Sequence, residues 1–203
     1  MRDRLSLAVV IGAVFFGAAV TAQSADAKRD NAKMEASLVA IMTRATAPAA
    51  KGKTLQPLRT TFSDRELNAW LLADGKDNVP AGLLSPTVTF LGGGKLTAKA
   101  VVDLDAVRKS KQRGMFDPMN LLTGLVPVTL NGTLTGTGGM ATFDVESASL
   151  GTWPLPRTVL QELIAYYSKS EDYPDGITLG KPFALPAAVK QLLIARGTAT
   201  VVQ

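Results

Sequence analysis

The side chains that most often do chemistry in proteins are missing from this chain. Its 203 residues include no histidine and no cysteine. A Ser-His-Asp triad, a zinc site of the usual His or Cys type and a haem held by an axial histidine are therefore excluded. A Ser-Lys dyad remains chemically available, but Ser110-Lys111 and Ser168-Lys169 lie in polar, loop-like sequence. We therefore expect neither an enzymatic activity nor a cofactor.

Acidic and glycine-rich segments offer two further kinds of site. Asp103, Asp105 and Asp117 could supply oxygens to a hard metal ion. Their spacing is not that of a calcium loop, so we interpret them as turn and cap residues. The glycines at 92–94 and 136–139 are each followed by a strand pattern, whereas a phosphate cradle needs a helix there. The glycines therefore predict hairpin turns, and we expect no metal site.

A basic stretch between two predicted strands is the strongest local charge signal. Arg108, Lys109, Lys111 and Arg113 lie close together in a chain whose net charge is +5. Such a cluster can bind anionic lipid headgroups, and each basic side chain contributes on the order of 1 kcal/mol near an anionic membrane surface. The alternative is a solvated loop. Nucleic acid is not an expected partner, because aromatic side chains do not interleave these residues.

Residues 1–22 have the pattern of a secretory signal peptide. Arginines come first, then the uncharged apolar run 5–20, then small residues. Small-x-small cleavage sites end at Ala22 and at Ala27, and cleavage would leave an exported, periplasmic protein. The alternative is an uncleaved anchor in the inner membrane, although the run is shorter than the ~20 residues that span a bilayer comfortably.

Two helices are predicted before the first hairpin. Apolar residues recur at helical spacing over residues 31–47, within an N-terminal helix and loop that spans 23–60. Ser63 and Glu66 have the spacing of a capping box. This pair predicts a second helix over residues 64–73.

From residue 86 onward the apolar period changes to two. Two hairpins follow, each with apolar residues on one face and threonines on the other. A third helix is predicted after Pro156, and a late strand over 192–202 that is broken or bulged at Gly197. The predicted fold is α+β, with a strongly twisted antiparallel sheet of long hairpins packed on two or three helices in a single domain, residues 61–203.

Large apolar side chains on these elements could either fill a core or line a groove for an acyl chain. The sequence leaves both readings open, because a lipid groove is a core with one partner missing. The residues that would line the groove are Trp70, Leu71, Phe90, Leu96, Val128, Leu130, Phe143, Trp153, Leu155, Leu163 and Tyr167.

The order of the elements resembles a group of small bacterial envelope proteins. The segments that carry the resemblance are TFSDRELNAWLL, LLSPTVTFLGGGKLTAKAVVDLDAVR, GLVPVTLNGTLTGTGGMATFDVESASLGTWPLPRTVLQELI and GITLGKPFALPAAVKQLLIARGTATVVQ. They are similar to tubular lipid-binding (TULIP, SMP-like) and AsmA-like modules. The resemblance implies a curled antiparallel sheet around a long helix, enclosing a lipid groove. The chain is long enough for one such module at most.

We therefore expect a periplasmic, non-enzymatic protein that binds a lipid or another apolar ligand between its sheet and its helices. The basic stretch would orient an anionic headgroup or meet an anionic membrane surface. The alternative is an envelope scaffold that binds a protein partner through a strand edge or a helix face. The sequence does not identify this partner. A hydrolase with paired carboxylates is a third hypothesis, and it would require two acidic side chains facing each other in a pocket.

Overall fold

Two helices precede the long hairpins and a third follows them, which confirms the predicted α+β fold in a single domain. The computed structural model of the protein describes residues 25–47, 56–79, 82–106, 124–169 and 173–203. Its helices are α1 (Ala25–Thr46), α2 (Asp64–Leu72) and α3 (Arg157–Tyr167), with a 3₁₀ helix over Asp74–Asn78. The helix α1 begins earlier than the apolar spacing predicts, because its first turn is polar.

The strands form one antiparallel sheet that is not closed. They are β1 (Arg59–Ser63), β2 (Leu83–Gly92), β3 (Lys95–Asp103), β4 (Leu125–Thr137), β5 (Met140–Leu150), β6 (Trp153–Pro154), β7 (Phe183–Ala184), β8 (Gln191–Ala195) and β9 (Thr198–Val202). The strand order is β1-β9-β8-β4-β3-β2, and β5 pairs with β4 and with the short strands β6 and β7. The strand β4 therefore has three neighbours and lies at the centre of the sheet.

The sheet curls so that the tip of the β2–β3 hairpin meets the β8–β9 hairpin. Leu91 forms an isolated bridge with Arg196. The Gly94 N–H donates to the Ile194 carbonyl at 3.2 Å, and the Gly197 N–H donates to the Phe90 carbonyl at 2.9 Å. These contacts bend the sheet around its apolar face without closing it into a barrel.

The predicted capping box starts α2. The Ser63 hydroxyl accepts from the Glu66 N–H at 3.2 Å, and a Glu66 carboxylate oxygen accepts from the Ser63 N–H at 2.8 Å. Two amide groups that a helix start would leave without partners are satisfied in this way.

The helix α2 also covers the free edge of β2. The Asn68 side chain accepts from the Val88 N–H at 2.7 Å and donates to the Val88 carbonyl at 2.8 Å. Asp64 accepts from the Phe90 N–H at 3.3 Å, and Pro86 has no N–H to offer. Side chains of α2 thus satisfy backbone groups of the β2 edge that another strand could otherwise pair with.

A single apolar core lies between the sheet and the helices. Its most deeply buried apolar side chains, each no more than 2 % exposed, include Met34, Ile41, Phe62, Leu67, Val88 and Val201. Since Met34 and Ile41 lie on α1, this helix packs in the same core as the sheet. The predicted apolar stripe of α1 is therefore confirmed.

The opposite face of the sheet is polar, as the threonine pattern predicts. The Thr97 hydroxyl donates to the Asn131 side chain at 2.7 Å, and Asn131 donates to the Ser147 hydroxyl at 2.9 Å. Side chains from β3, β4 and β5 are thereby joined across the strands. The pairing of β4 with β5 shifts next to this ladder, where Glu146 forms a β-bulge.

Replacing Asn68 with alanine should expose the β2 edge and destabilise the fold. Both hydrogen bonds to Val88 are lost, so we expect the free energy of unfolding to fall by about 1–3 kcal/mol. Urea denaturation followed by circular dichroism measures this change. The control is Leu72→Ala at an exposed position of the same helix, for which we expect a change within about 0.5 kcal/mol. An equal effect of the two substitutions would contradict the proposed role of the amide.

Candidate apolar ligand site

Two neighbouring rows of side chains cross the apolar face of the sheet from β3 to β6. In the first row Ala98 pairs with Leu130 and Leu130 pairs with Ala148, while the Leu155 N–H donates to the Ala148 carbonyl at 2.8 Å. Paired residues of antiparallel strands present their side chains on one face. Ala98 and Leu130 are only 3 % and 5 % exposed, whereas Ala148 and Leu155 are half-buried.

In the second row the exposed fraction of the side chains rises from β3 to β6. Ala100 pairs with Val128, Val128 with Leu150 and Leu150 with Trp153. Ala100 is 8 % exposed and Trp153 is 77 % exposed, with half-buried residues between them. Three inter-strand spacings of ~4.8 Å make this row about 14 Å long. The apolar face of the sheet therefore continues beyond the core. We call Val128, Leu150, Trp153 and Leu155 the open apolar end.

The exposure of Trp153 follows from the short strand that carries it. The strand β6 has two residues, and no further strand lies beyond it in the described part of the chain. Gly151, with a φ of +61°, turns the chain from β5 into β6, and its N–H donates to the Pro127 carbonyl. A large indole at the end of a sheet face, exposed to this degree, is typical of a binding surface rather than of a core.

The helix α3 follows β6 directly and is held in place by side-chain hydrogen bonds to a later loop. Gln161 donates to the Ile177 carbonyl at 3.1 Å and accepts from the Leu179 N–H at 2.6 Å. The buried Ser168 hydroxyl donates to the Ile164 carbonyl and accepts from the Ile177 N–H, each at 2.6 Å. The helix α3 is therefore joined to the loop that carries the buried side chains of Ile177 and Leu179.

Most of the predicted groove residues lie in the packed core. These residues, each 3–8 % exposed, are Trp70, Leu71, Phe90, Leu96, Leu130 and Phe143. The Trp70 ring lies so close to Gly75 that a Cβ there would be 2.6 Å from it, and the Phe143 ring covers Gly132 in the same way at 2.9 Å. These six residues therefore belong to one cluster of buried side chains.

The remaining predicted groove residues lie elsewhere. Val128, Trp153 and Leu155 belong to the open apolar end, and Leu163 is half-buried on α3. Tyr167 ends α3, but its side chain lies outside the described part of the structure. The predicted headgroup residues, Arg108, Lys109, Lys111 and Arg113, also lie outside the described residues.

Leu150 is the member of the open apolar end that was not among the predicted groove residues. It lies between Val128 and Trp153 in the second row. The bulge at Glu146 interrupts the alternation of β5, and the period of two resumes over Ala148 and Leu150. Alternation counted backward from Leu150 is the signal that could have identified it.

The predicted acidic residues near this end of the sheet accept hydrogen bonds from backbone N–H groups. Asp103 accepts from the N–H groups of Asp105 at 3.0 Å and Ala106 at 2.9 Å, which confirms its interpretation as a cap residue. Asp105 instead accepts from the distant Gly124 N–H at 3.0 Å. Asp117 lies outside the described residues.

On the polar face, Glu146 is the carboxylate whose ionisation responds most clearly to its surroundings. The Lys95 ammonium group 2.9 Å from its Oε1 and the Thr133 hydroxyl that donates to the same oxygen at 3.0 Å lower the pKa of Glu146. Both partners favour the charged form. The bulge residue therefore joins β3, β4 and β5 on the side of the sheet away from the open apolar end.

Comparisons with known protein families, curated proteins and solved structures find no match to this chain. Among the described residues, no group of three or more histidines, cysteines or carboxylates is placed to hold a metal ion. Within the same part of the chain, no helix combines the length and the apolar character needed to cross a membrane. The apolar run 5–20 lies outside these residues.

Replacing Glu146 with glutamine should reduce the dependence of stability on acid pH. A lowered folded pKa stabilises the protein above the unfolded pKa of about 4.3, and the stabilisation is lost as the pH falls through the folded value. Urea midpoints measured from pH 6 to pH 3 should therefore decrease less in Glu146→Gln than in the unaltered protein. Thr133→Val, which removes one of the two hydrogen bonds, should give an intermediate decrease. Equal slopes for all three proteins would contradict this assignment.

Proposed function

We propose that the protein is a non-enzymatic binding protein for a lipid or another apolar ligand, and that it binds at the open apolar end. The observation that carries the proposal is the 77 % exposure of Trp153 in direct register with Leu150 and Val128. A ligand that lies along this row would bury the part of the apolar face that the described helices do not cover.

Burial of apolar surface is the interaction that this site offers. Covering ~150 Å² of the Trp153 side chain would contribute roughly 4 kcal/mol at ~25 cal/mol per Å², before the cost of ordering the ligand. Half-buried Val128, Leu150 and Leu155 add to this contribution. A row of about 14 Å matches an extended hydrocarbon chain that lies across the strands.

The signal pattern of residues 1–22 supports an exported, periplasmic location for this activity. The same pattern, if uncleaved, would place the domain at the outer surface of the inner membrane. Either location gives the site access to membrane lipids.

A protein partner is the alternative occupant, because exposed tryptophans are frequent anchors of protein interfaces. Strand addition at the β2 edge is disfavoured, since Asn68 and Asp64 already occupy its backbone groups. The open apolar end is therefore a better candidate than the β2 edge for contact with a protein partner.

Tryptophan fluorescence tests the proposal, because the chain has two tryptophans and Trp70 is buried. In the Trp70→Phe variant, emission reports on Trp153 alone. Sodium laurate below its micelle concentration, or vesicles of phosphatidylethanolamine and phosphatidylglycerol, should shift this emission to the blue in a saturable manner. A response to laurate indicates a monomeric ligand, whereas a response to vesicles alone indicates a membrane surface.

Two matched variants in the Trp70→Phe background provide the control. Leu150→Asp introduces a charge next to Trp153, and Leu193→Asp introduces the same charge at an exposed apolar position of β8. We expect Leu150→Asp to weaken laurate binding on the order of tenfold or more, since a charge would be desolvated in the site, and Leu193→Asp to leave it unchanged. Absence of a blue shift with both probes, or equal weakening by both substitutions, would overturn the proposal.

A further inference from the structure

The buried stripe of α1 is polar at its N-terminal end. Asp30 is 7 % exposed and receives a hydrogen bond at 2.9 Å from the largely exposed guanidinium of Arg65 on α2. Met34 and Ile41, one and three turns further along, are the fully buried apolar residues of this helix. The helix α1 therefore docks on α2 and β1 through an apolar stripe that includes the half-buried Leu38 and Met42 and that follows a buried charge.

Two buried amide oxygens lie at this interface. Asn31 Oδ1 and Gln203 Oε1 have no hydrogen-bond partner among the described residues, and Gln203 is 4 % exposed. A buried acceptor without a partner costs about 1–3 kcal/mol. Water would reach both oxygens if α1 moved away, so each of them opposes its docking.

Gln203 also connects α1 to a strained turn. Its side-chain N–H groups donate to the Ile41 carbonyl at 2.9 Å and to the Ala187 carbonyl at 2.6 Å. Ala187 and Ala188 have φ values of 56° and 54°, a left-handed conformation that costs a residue with a Cβ roughly 1–2 kcal/mol. The contact that holds the C-terminal part of α1 thus depends on a turn of raised energy.

Two further polar contacts of α1 each involve an exposed side chain. Lys33, whose side chain is 57 % exposed, lies 3.5 Å from Glu66, whose side chain is 18 % exposed. Asn31 donates to the exposed Asp74 carboxylate at 2.6 Å. Exposed pairs of this kind contribute about 0–1 kcal/mol and are weakened by salt.

From these contacts we propose that α1 is a lid, which undocks from α2 and β1 as a unit while the sheet stays folded. The motion hydrates Asn31 and Gln203 and gives solvent access to the apolar surface under Met34 and Ile41. It is distinct from ligand binding at the open apolar end and does not depend on it.

Cysteine accessibility tests the lid, because the chain has no cysteine of its own. Met34→Cys on α1 and Val88→Cys on β2 place thiols at positions that are 1 % and 2 % exposed. Under native conditions we expect a thiol at position 34 to react with a disulfide reagent on the order of tenfold or more faster than one at position 88, because local opening needs less free energy than global unfolding. Equal rates at the two positions would overturn the proposal.

A second pair of variants links the rate to the buried oxygen. In the Met34→Cys background, Asn31→Leu removes that oxygen and should slow labelling several-fold. Thr43→Leu gains a similar helix propensity at an exposed position and should leave the rate nearly unchanged. If both substitutions slow labelling equally, the buried oxygen does not control the opening and the proposal fails.

Hydrogen exchange of the unaltered protein provides a test that does not depend on any variant folding. Amides of α1 should exchange faster than those of β3 and β4, with a weaker dependence on urea, because undocking exposes less surface than unfolding. The same exchange free energy and urea dependence in the helix and in the strands would overturn the lid.

Discussion

The apolar face of the sheet has to be buried, and within the described part of the chain the helices cover only part of it. Met34 of α1, Trp70 of α2 and Ile164 of α3 belong to one core with the sheet. Ala98 on β3 and Leu130 on β4 are only 3 % and 5 % exposed, whereas Trp153 on β6 is 77 % exposed. Non-directional burial of apolar surface stabilises the covered part. The same driving force is available to a ligand at the uncovered part.

The central strand β4 determines where that boundary falls. It pairs with β3 along one edge and with β5 along the other, and with β8 beyond the end of β3. On the polar face, the ladder through Thr97, Asn131 and Ser147 joins these strands, and a register shift there would move each apolar side chain to the other face. The position of the open apolar end is thus tied to hydrogen bonds on the opposite side of the sheet.

Local patterns predicted the elements better than they predicted the site. The capping box at Ser63, the threonine faces of the hairpins and the apolar stripe of α1 are short-range features, and the structure confirms them. Burial depends instead on which strands are neighbours. Trp70 and Trp153 are the same residue type, but one packs on Gly75 and the other lies on a two-residue strand at the end of the sheet. The bulge at Glu146 sets the register that pairs Leu150 with Val128, and the alternation of β5 reveals this only when it is counted backward from Leu150.

The most direct test of the account is to locate a bound hydrocarbon chain by methyl NMR, with lauric acid that carries a nitroxide at its end. Paramagnetic broadening should be strongest at the methyl groups of Val128, Leu150 and Leu155 and at the Trp153 indole, and it should leave the methyl groups of Leu71 and Leu192 in the core sharp. Broadening centred on the core methyl groups, or an equal effect at the exposed Val39 of α1, would contradict the claim that the sheet binds its ligand where its helices end.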